Sequence, residues 1–281
     1  MTISSSDGAF YLPLGGGRFT ATESTRGPWS ADAQHAGPPA ALLARAVQRH
    51  GAGAGGSDGK SDGDADGGAG TRVSRMTFEI PRPVPLGELS VSTRTTLTGR
   101  SVERVEAVLE DSQERVVMRA SALRMRVASD TTPDVGQALT VPGPADCATS
   151  PFFPVPWETG YHTAMEFRFA SGGFLERGPA TAWMRMRVPL VAGEETSGLC
   201  RVLVAADSGN GISGELDFDR YLFVNADLNV HLLRDPVGEW VGLDARTTVS
   251  ADGIGLTDTL LLDEHASIGR ATQSLFVAER K

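Results

Sequence analysis

A chain of 281 residues is long enough for one large domain or two ordinary ones around a substantial core. Its composition, 40% hydrophobic and 22% charged, is ordinary for a soluble globular protein. A net charge of −9 argues against nucleic acid or an anionic membrane surface as the main partner, while leaving room for a local basic pocket that takes a phosphorylated ligand.

The N-terminus, MTISSSDGAFYLPLGGG, has neither a basic start nor an apolar run, so it does not read as a secretory signal. No apolar stretch reaches the roughly 20 residues of a membrane span. A cytoplasmic protein is the expectation. Cys147 and Cys200 lie far apart in no metal-type spacing, which fits a reduced compartment without structural disulfides.

RFTATEST (18–25) alternates like a short strand. Gly37-Pro38-Pro39 followed by AALLARAVQRH predicts a buried helix, because proline suits the first helical turn. Residues 51–70, GAGAGGSDGKSDGDADGGAG, carry no large apolar side chain and are expected to form a disordered surface loop. Their Asp spacing is not that of a calcium loop, and the terminal Glu is missing. Strands are expected at 71–81, 88–98, 101–111 and 115–127, joined by the turn-like PLGE, GR and DSQE in an antiparallel meander. Residues 129–160, rich in Pro, Ser, Thr and Asp, read as a linker.

The order then repeats. Residues 164–190 predict two strands. EETSGLCRVLVAA predicts a helix, with Leu199, Val202, Leu203 and Ala206 at i, i+3, i+4 and i+7. Strands follow at 221–234, 239–249, 254–263 and 267–278. The meanders of the two halves align with one gap: Arg82 with Arg234, Gly87-Glu88 with Gly238-Glu239, and Thr95-Thr96 with Thr247-Thr248.

That arrangement, a long buried helix wrapped by an antiparallel sheet and present twice with the sheets side by side, resembles the α+β double hotdog fold. GPWSADAQHAGPPAALLARAV, AADSGNGIS, FVNADLNVHLLR and GRATQSLFVAER are similar to the acyl-CoA thioesterase II (TesB-like) family, over nearly the whole chain apart from the glycine-rich loop and the linker. The resemblance implies an N-terminal hotdog at 1–130, a linker at 131–160 and a C-terminal hotdog at 161–281. It implies hydrolysis of an acyl-CoA thioester, a role in lipid metabolism, and no metal or cofactor. It also implies a site in the second half made of an Asp after the helix, a hydroxyl residue on the next strand and a Gln on the last strand. Those positions fall on Asp207, Asn225 and Gln273. Asn225 departs from the hydroxyl, and Asn229 is the alternative. Opposite Gln273 and Asn225 the first half has Ala122 and, approximately, Val73.

The residues support this on their own terms. A carboxylate at the carbonyl end of a helix is badly placed for stability, so Asp207 is a candidate general base. The rival reading makes DSGNG a plain helix-ending turn, with Asn210 and Gly211 at positive φ and Asp207 bonded to its own backbone. The start of the first helix offers free backbone N–H groups for a developing oxyanion. Pro38 and Pro39 have none, so the N–H of Gly37 and the side chain of His35 are the expected substrate-binding groups. Trp29, Trp157, Trp183 and Trp240 read as core or pocket lining. No Gly-x-Ser-x-Gly elbow surrounds Ser208, which argues against a serine hydrolase.

Two other functions compete. One is a hotdog that binds an acyl thioester without cutting it. The other is an enoyl-thioester hydratase, which needs a His-Asp pair; His35 has no Asp at a suitable sequence spacing. A single chain already contains a dimer-like unit, while exposed sheet edges favour pairing into a homodimer.

Overall fold

The computed structural model describes residues 8–51, 70–127, 133, 135, 136, 138, 139 and 141–280. The expected disordered loop lies outside the described residues except at its two ends. Nor are most of residues 128–140 described. In chain order the first half holds β1 (Tyr11–Gly15), β2 (Arg18–Ala21), α1 (Gly37–Arg49), β3 (Thr71–Glu79), β4 (Gly87–Thr98), β5 (Val102–Asp111) and β6 (Val116–Arg126). The second holds α2 (Tyr161–Ala164), β7 (Met165–Ser171), β8 (Ala180–Met186), α3 (Gly198–Ala206), α4 (Gly209–Ile212), β9 (Tyr221–Asn225), β10 (Asp227–Leu232), β11 (Val241–Val249), β12 (Ile254–Leu262) and β13 (Ser267–Glu279).

Among the described residues thirteen strands form one open antiparallel sheet in the order β1-β2-β4-β5-β6-β3-β10-β13-β12-β11-β8-β7, with β9 also on β13. The seam is β3 against β10, where Thr77 pairs with Asn229. β9 and β10 were expected as one strand over 221–234. They pair with successive parts of β13, interrupted at Ala226, whose N–H bonds the Ser274 carbonyl. This break is a β-bulge: Asn225 pairs with Leu275 and Asn229 with Thr272, so β9–β10 carries one extra residue.

The repeat read from the sequence is present in the register. Val73 pairs with Arg124 and Arg75 with Leu123, which leaves Ser74 as the extra residue of β3 where Ala226 is the extra residue of the second half. Leu109 pairs with Met118 and Glu110 with Val116; the same skip separates Leu261–Gly269 from Leu262–Ser267. Val105 opposite Ala122 corresponds to Thr257 opposite Gln273. The two halves therefore share strand order, pairing and these two bulges, while the further register shift at Thr95–Leu97 in β4–β5 has no counterpart in β11–β12.

The helices lie against the sheet and against each other. α1 buries Leu42, Leu43 and Val47, and α3 buries Leu199, Val202 and Leu203. α3 begins four residues later than the sequence expectation, because the Ser197 hydroxyl accepts from the Cys200 N–H and so caps the helix there. The helices run antiparallel. Ser197 at the start of α3 donates to Gln48 near the end of α1 at 2.7 Å, and the Cys200 thiol faces the Ala41 carbonyl at 3.4 Å. At the opposite end, a Cβ on Gly37 would stand 2.2 Å from the Val204 carbonyl oxygen. Gly37→Ala is therefore expected to push the helices apart and cost about 2 kcal/mol, measurable as a lower urea midpoint; an unchanged midpoint would show that the contact yields freely.

The segment read as a linker is fastened to the second half. Among its residues from 141 onwards, Phe152 and Phe153 pack on the main core, Thr149 bridges Arg168, and the Pro142 carbonyl accepts from the Trp183 indole at 2.8 Å. Trp183 and Trp240 are core residues. Trp29 is not: it is half exposed, between Phe153 and Phe218. Cys147 and Cys200 are both free, and burial pushes the Cys200 thiol up to about 11. No described helix is long and apolar enough to cross a membrane.

Candidate active site

Asp207 follows α3 in a helical conformation, and the chain runs on through Ser208 into α4. The turn expected at DSGNG does not form; neither Asn210 nor Gly211 has a positive φ. Tertiary contacts hold the segment helical. The Gln273 Oε1 accepts the Asn210 N–H at 3.1 Å. Gly209 lies so close to the sheet that a Cβ there would meet Thr259 Oγ1 at 2.5 Å.

The Asp207 carboxylate is buried and its oxygens are directed to side chains, not to its own backbone. Oδ1 accepts from Asn225 Nδ2 at 2.9 Å and from Gln273 Nε2 at 3.2 Å. Oδ2 faces His35 Nδ1 at 3.2 Å. Gln273 also donates to the Asp207 carbonyl at 3.1 Å, so both of its amide hydrogens are spent on Asp207. Asn225 spends one. It reaches the carboxylate because it is the last residue before the Ala226 bulge. Asn229 turns to Asp227 instead, at 3.1 Å. All five residues singled out in the sequence thus meet in one place, His35 and Gly37 from the first half and the others from the second. At the corresponding register the first half presents Val73 and Ala122, both buried and apolar.

His35 lies flat on Tyr161, ring centroids 3.7 Å apart and 5° from parallel. Burial lowers its pKa below the ordinary histidine value, and the Asp207 charge pulls partly the other way. Its Nδ1 is also 3.2 Å from the Gly37 N–H. Gly37 itself is buried, and the Val204 carbonyl occupies the space that its missing side chain leaves.

Sequence reasoning missed three residues. Tyr161 donates to the Val204 carbonyl at 2.8 Å and meets Ser208 Oγ at 3.0 Å; burial raises its pKa strongly. Ser208 Oγ lies 3.5 Å from His35 Nε2. Asn210 places Nδ2 at 3.4 Å from Asn225 Oδ1, and its own Oδ1 is buried without a partner among the described residues. Only adjacency to Asp207 in sequence could have flagged the last two. The His-Asp pair that no sequence spacing suggested is supplied across the halves. Among the described residues no group of three His, Cys, Asp or Glu side chains is placed to hold a metal ion.

Chemically this is a buried carboxylate held by two amides, next to an imidazole kept neutral by burial and to the Gly37 N–H at the start of α1, which points to His35 Nδ1. Such a group can accept a proton and stabilise a developing charge. The acyl-CoA thioesterase N-terminal domain matches residues 25–125, and the acyl-CoA thioesterase C-terminal domain matches 144–277.

The chain belongs to the acyl-CoA thioesterase family.

Solved structures agree with this family's fold. A conserved protein of unknown function with a hot dog fold from Alicyclobacillus acidocaldarius is 14% identical, with 100% of each chain covered and a TM-score of 0.70. A putative thioesterase from Novosphingobium aromaticivorans is 17% identical over 95% of this chain and 98% of its own, at 0.68. A putative thioesterase II from Thermobifida fusca is 14% identical over 98% and 97%, at 0.67. At these identities the likeness establishes the fold, a double hotdog. No curated protein matches the chain.

Proposed function

We propose that this thioesterase-family protein hydrolyses an acyl-CoA, or a closely related acyl thioester, by direct attack of water. The observation that carries the reading is the convergence of Asn225, Gln273 and His35 on the one buried carboxylate of Asp207. Gln273 and Asn225 fix the carboxylate and keep its charge in place. That charge makes an adjacent water nucleophilic. The hydrogen that Asn225 does not spend on Asp207 is directed to the water or the thioester oxygen. The water gives up one proton to the site as its oxygen bonds the carbonyl carbon, and the oxygen that becomes negative is met by the Gly37 N–H at the start of α1. The C–S bond then breaks, the CoA thiolate takes a proton, and the free acid leaves. The acyl chain lies between helix and sheet, and the phosphorylated arm of CoA reaches the surface.

Thiol release from short-, medium- and long-chain acyl-CoAs tests this. Turnover of one length class supports the hydrolase and defines its substrate. Binding of acyl-CoA without release would make the protein a thioester-binding hotdog. The His35–Asp207 contact also suits hydration of an enoyl thioester, which would appear as loss of the conjugated absorbance without thiol release.

A further inference from the structure

Both lone-pair positions of Asp207 Oδ1 are taken, by Asn225 and Gln273. The other oxygen points at a ring nitrogen. His35 Nδ1 stands 3.2 Å from both Asp207 Oδ2 and the Gly37 N–H, and one nitrogen cannot donate to the first and accept from the second. A lone pair facing a carboxylate is repelled, whereas an N–H facing it makes a charge-assisted bond, so the proton resides on Nδ1. Two consequences follow. The Gly37 N–H loses its acceptor and becomes available to an incoming oxyanion. Nε2 becomes a bare acceptor whose only described polar neighbour is Ser208 Oγ, at a long 3.5 Å, and that hydroxyl is already 3.0 Å from Tyr161 OH. Tyr161 covers the ring face and is itself tied to the Val204 carbonyl, which fixes the plane of the imidazole.

We infer that the proton of the attacking water is taken by His35 Nε2, with Asp207 acting through the imidazole as the group that sets its tautomer and charge. The inference rests on the hydrolase reading. As the water O–H breaks, its proton goes to Nε2 and its oxygen bonds the thioester carbon. When the C–S bond breaks, the imidazolium returns that proton to the thiolate sulfur. Tyr161 is a positioning residue. The catalytic unit spans both halves, the proton acceptor from one and its carboxylate from the other.

The groups that face His35 and can titrate or carry charge are Asp207, from the end of α3, and Tyr161, from α2. Burial holds the imidazole neutral to below the ordinary 6.5, so catalysis should decline as pH falls through that lowered value.

The test uses the full chain and the acyl-CoA that the wild type turns over best. His35→Ala should lower kcat by about 1,000-fold, with imidazole in the buffer restoring at least about tenfold. His35→Gln, closer in size, should lose as much without rescue, and circular dichroism should show both variants folded. The acid limb of the wild-type profile should disappear from the residual rate of His35→Gln. Independently of turnover, nitrogen-15 NMR should show His35 protonated at Nδ1, and at Nε2 in Asp207→Asn. Activity within about fivefold of wild type in both His35 variants, or a ring protonated at Nε2 in the wild type, would overturn the inference and leave the hydrolase intact. An acyl group found on Ser208 by mass spectrometry would overturn it too, making that hydroxyl the nucleophile. Absence of thiol release by the wild type would sink the hydrolase reading itself, while the NMR tautomer would still report on the His35–Asp207 bond.

Discussion

Asp207→Asn is expected to lower kcat for thioester hydrolysis by about 1,000-fold or more while leaving the fold in place. The substitution keeps the size of the side chain, and its carbonyl oxygen still accepts from Asn225 and Gln273. Two things change. The negative charge that holds the proton on His35 Nδ1 is gone, and an amide N–H now meets that nitrogen, which forces the ring into the opposite tautomer and occupies Nε2 with a proton. The effect should lie in kcat rather than KM, because the carboxylate acts through His35 on the reacting water and not on the CoA arm. Steady-state kinetics beside thermal unfolding would measure it. A variant within about tenfold of wild type would reduce Asp207 to a buried structural carboxylate.

Asp263→Ala should be the costliest single change to stability, at about 3–5 kcal/mol. Its side chain is fully buried after β12. Arg234 holds both carboxylate oxygens, and the backbone N–H groups of Val237, His265 and Ala266 donate to it at 2.9–3.0 Å. Burial alone would raise its pKa, but the guanidinium and the three N–H groups outweigh burial and hold the carboxyl well below the usual range. Alanine would take the carboxylate away from Arg234 and leave the three backbone donors without their acceptor. Because the carboxyl is protonated more readily in the unfolded chain, the stability it contributes is present above the ordinary carboxylate pKa of about 4 and is lost only as pH falls further. Urea titrations of wild type and variant at neutral pH would give the difference. A loss below about 1 kcal/mol would show that water replaces these bonds.

Strands and helices were legible because their periodicity is local. Leu199, Val202 and Leu203 mark the buried stripe of α3, and the turn residues mark the meanders. Gly87-Glu88 against Gly238-Glu239 displayed the duplication even at weak identity. Legibility failed where distant parts of the chain override local preference. Asn210 and Gly211 favour a left-handed turn on their own, but Gln273 on β13 captures the Asn210 N–H and the segment stays helical. The bulge at Ala226 leaves no mark on alternation, yet it separates Asn225, which reaches Asp207, from Asn229, which does not. The contact of His35 with Asp207 depends on two antiparallel helices bringing the start of one to the end of the other, and no spacing within one segment encodes that.

The paired bulges at Ser74 and Ala226 separate the backbone of the site from its side chains. An extra residue that kinks a strand serves Asn225 in the second half, but in the first it serves only Val73, which has no polar work. The bend is common to both halves, and the polar side chains are not. The first half is thus a blank copy of the site with its backbone already bent to shape, His50 standing after α1 as Asp207 stands after α3. Re-equipping it would take polar side chains at Val73, Ala122 and His50 and also, at the start of α3, counterparts of the His35 and Gly37 that the first half lends to the existing site.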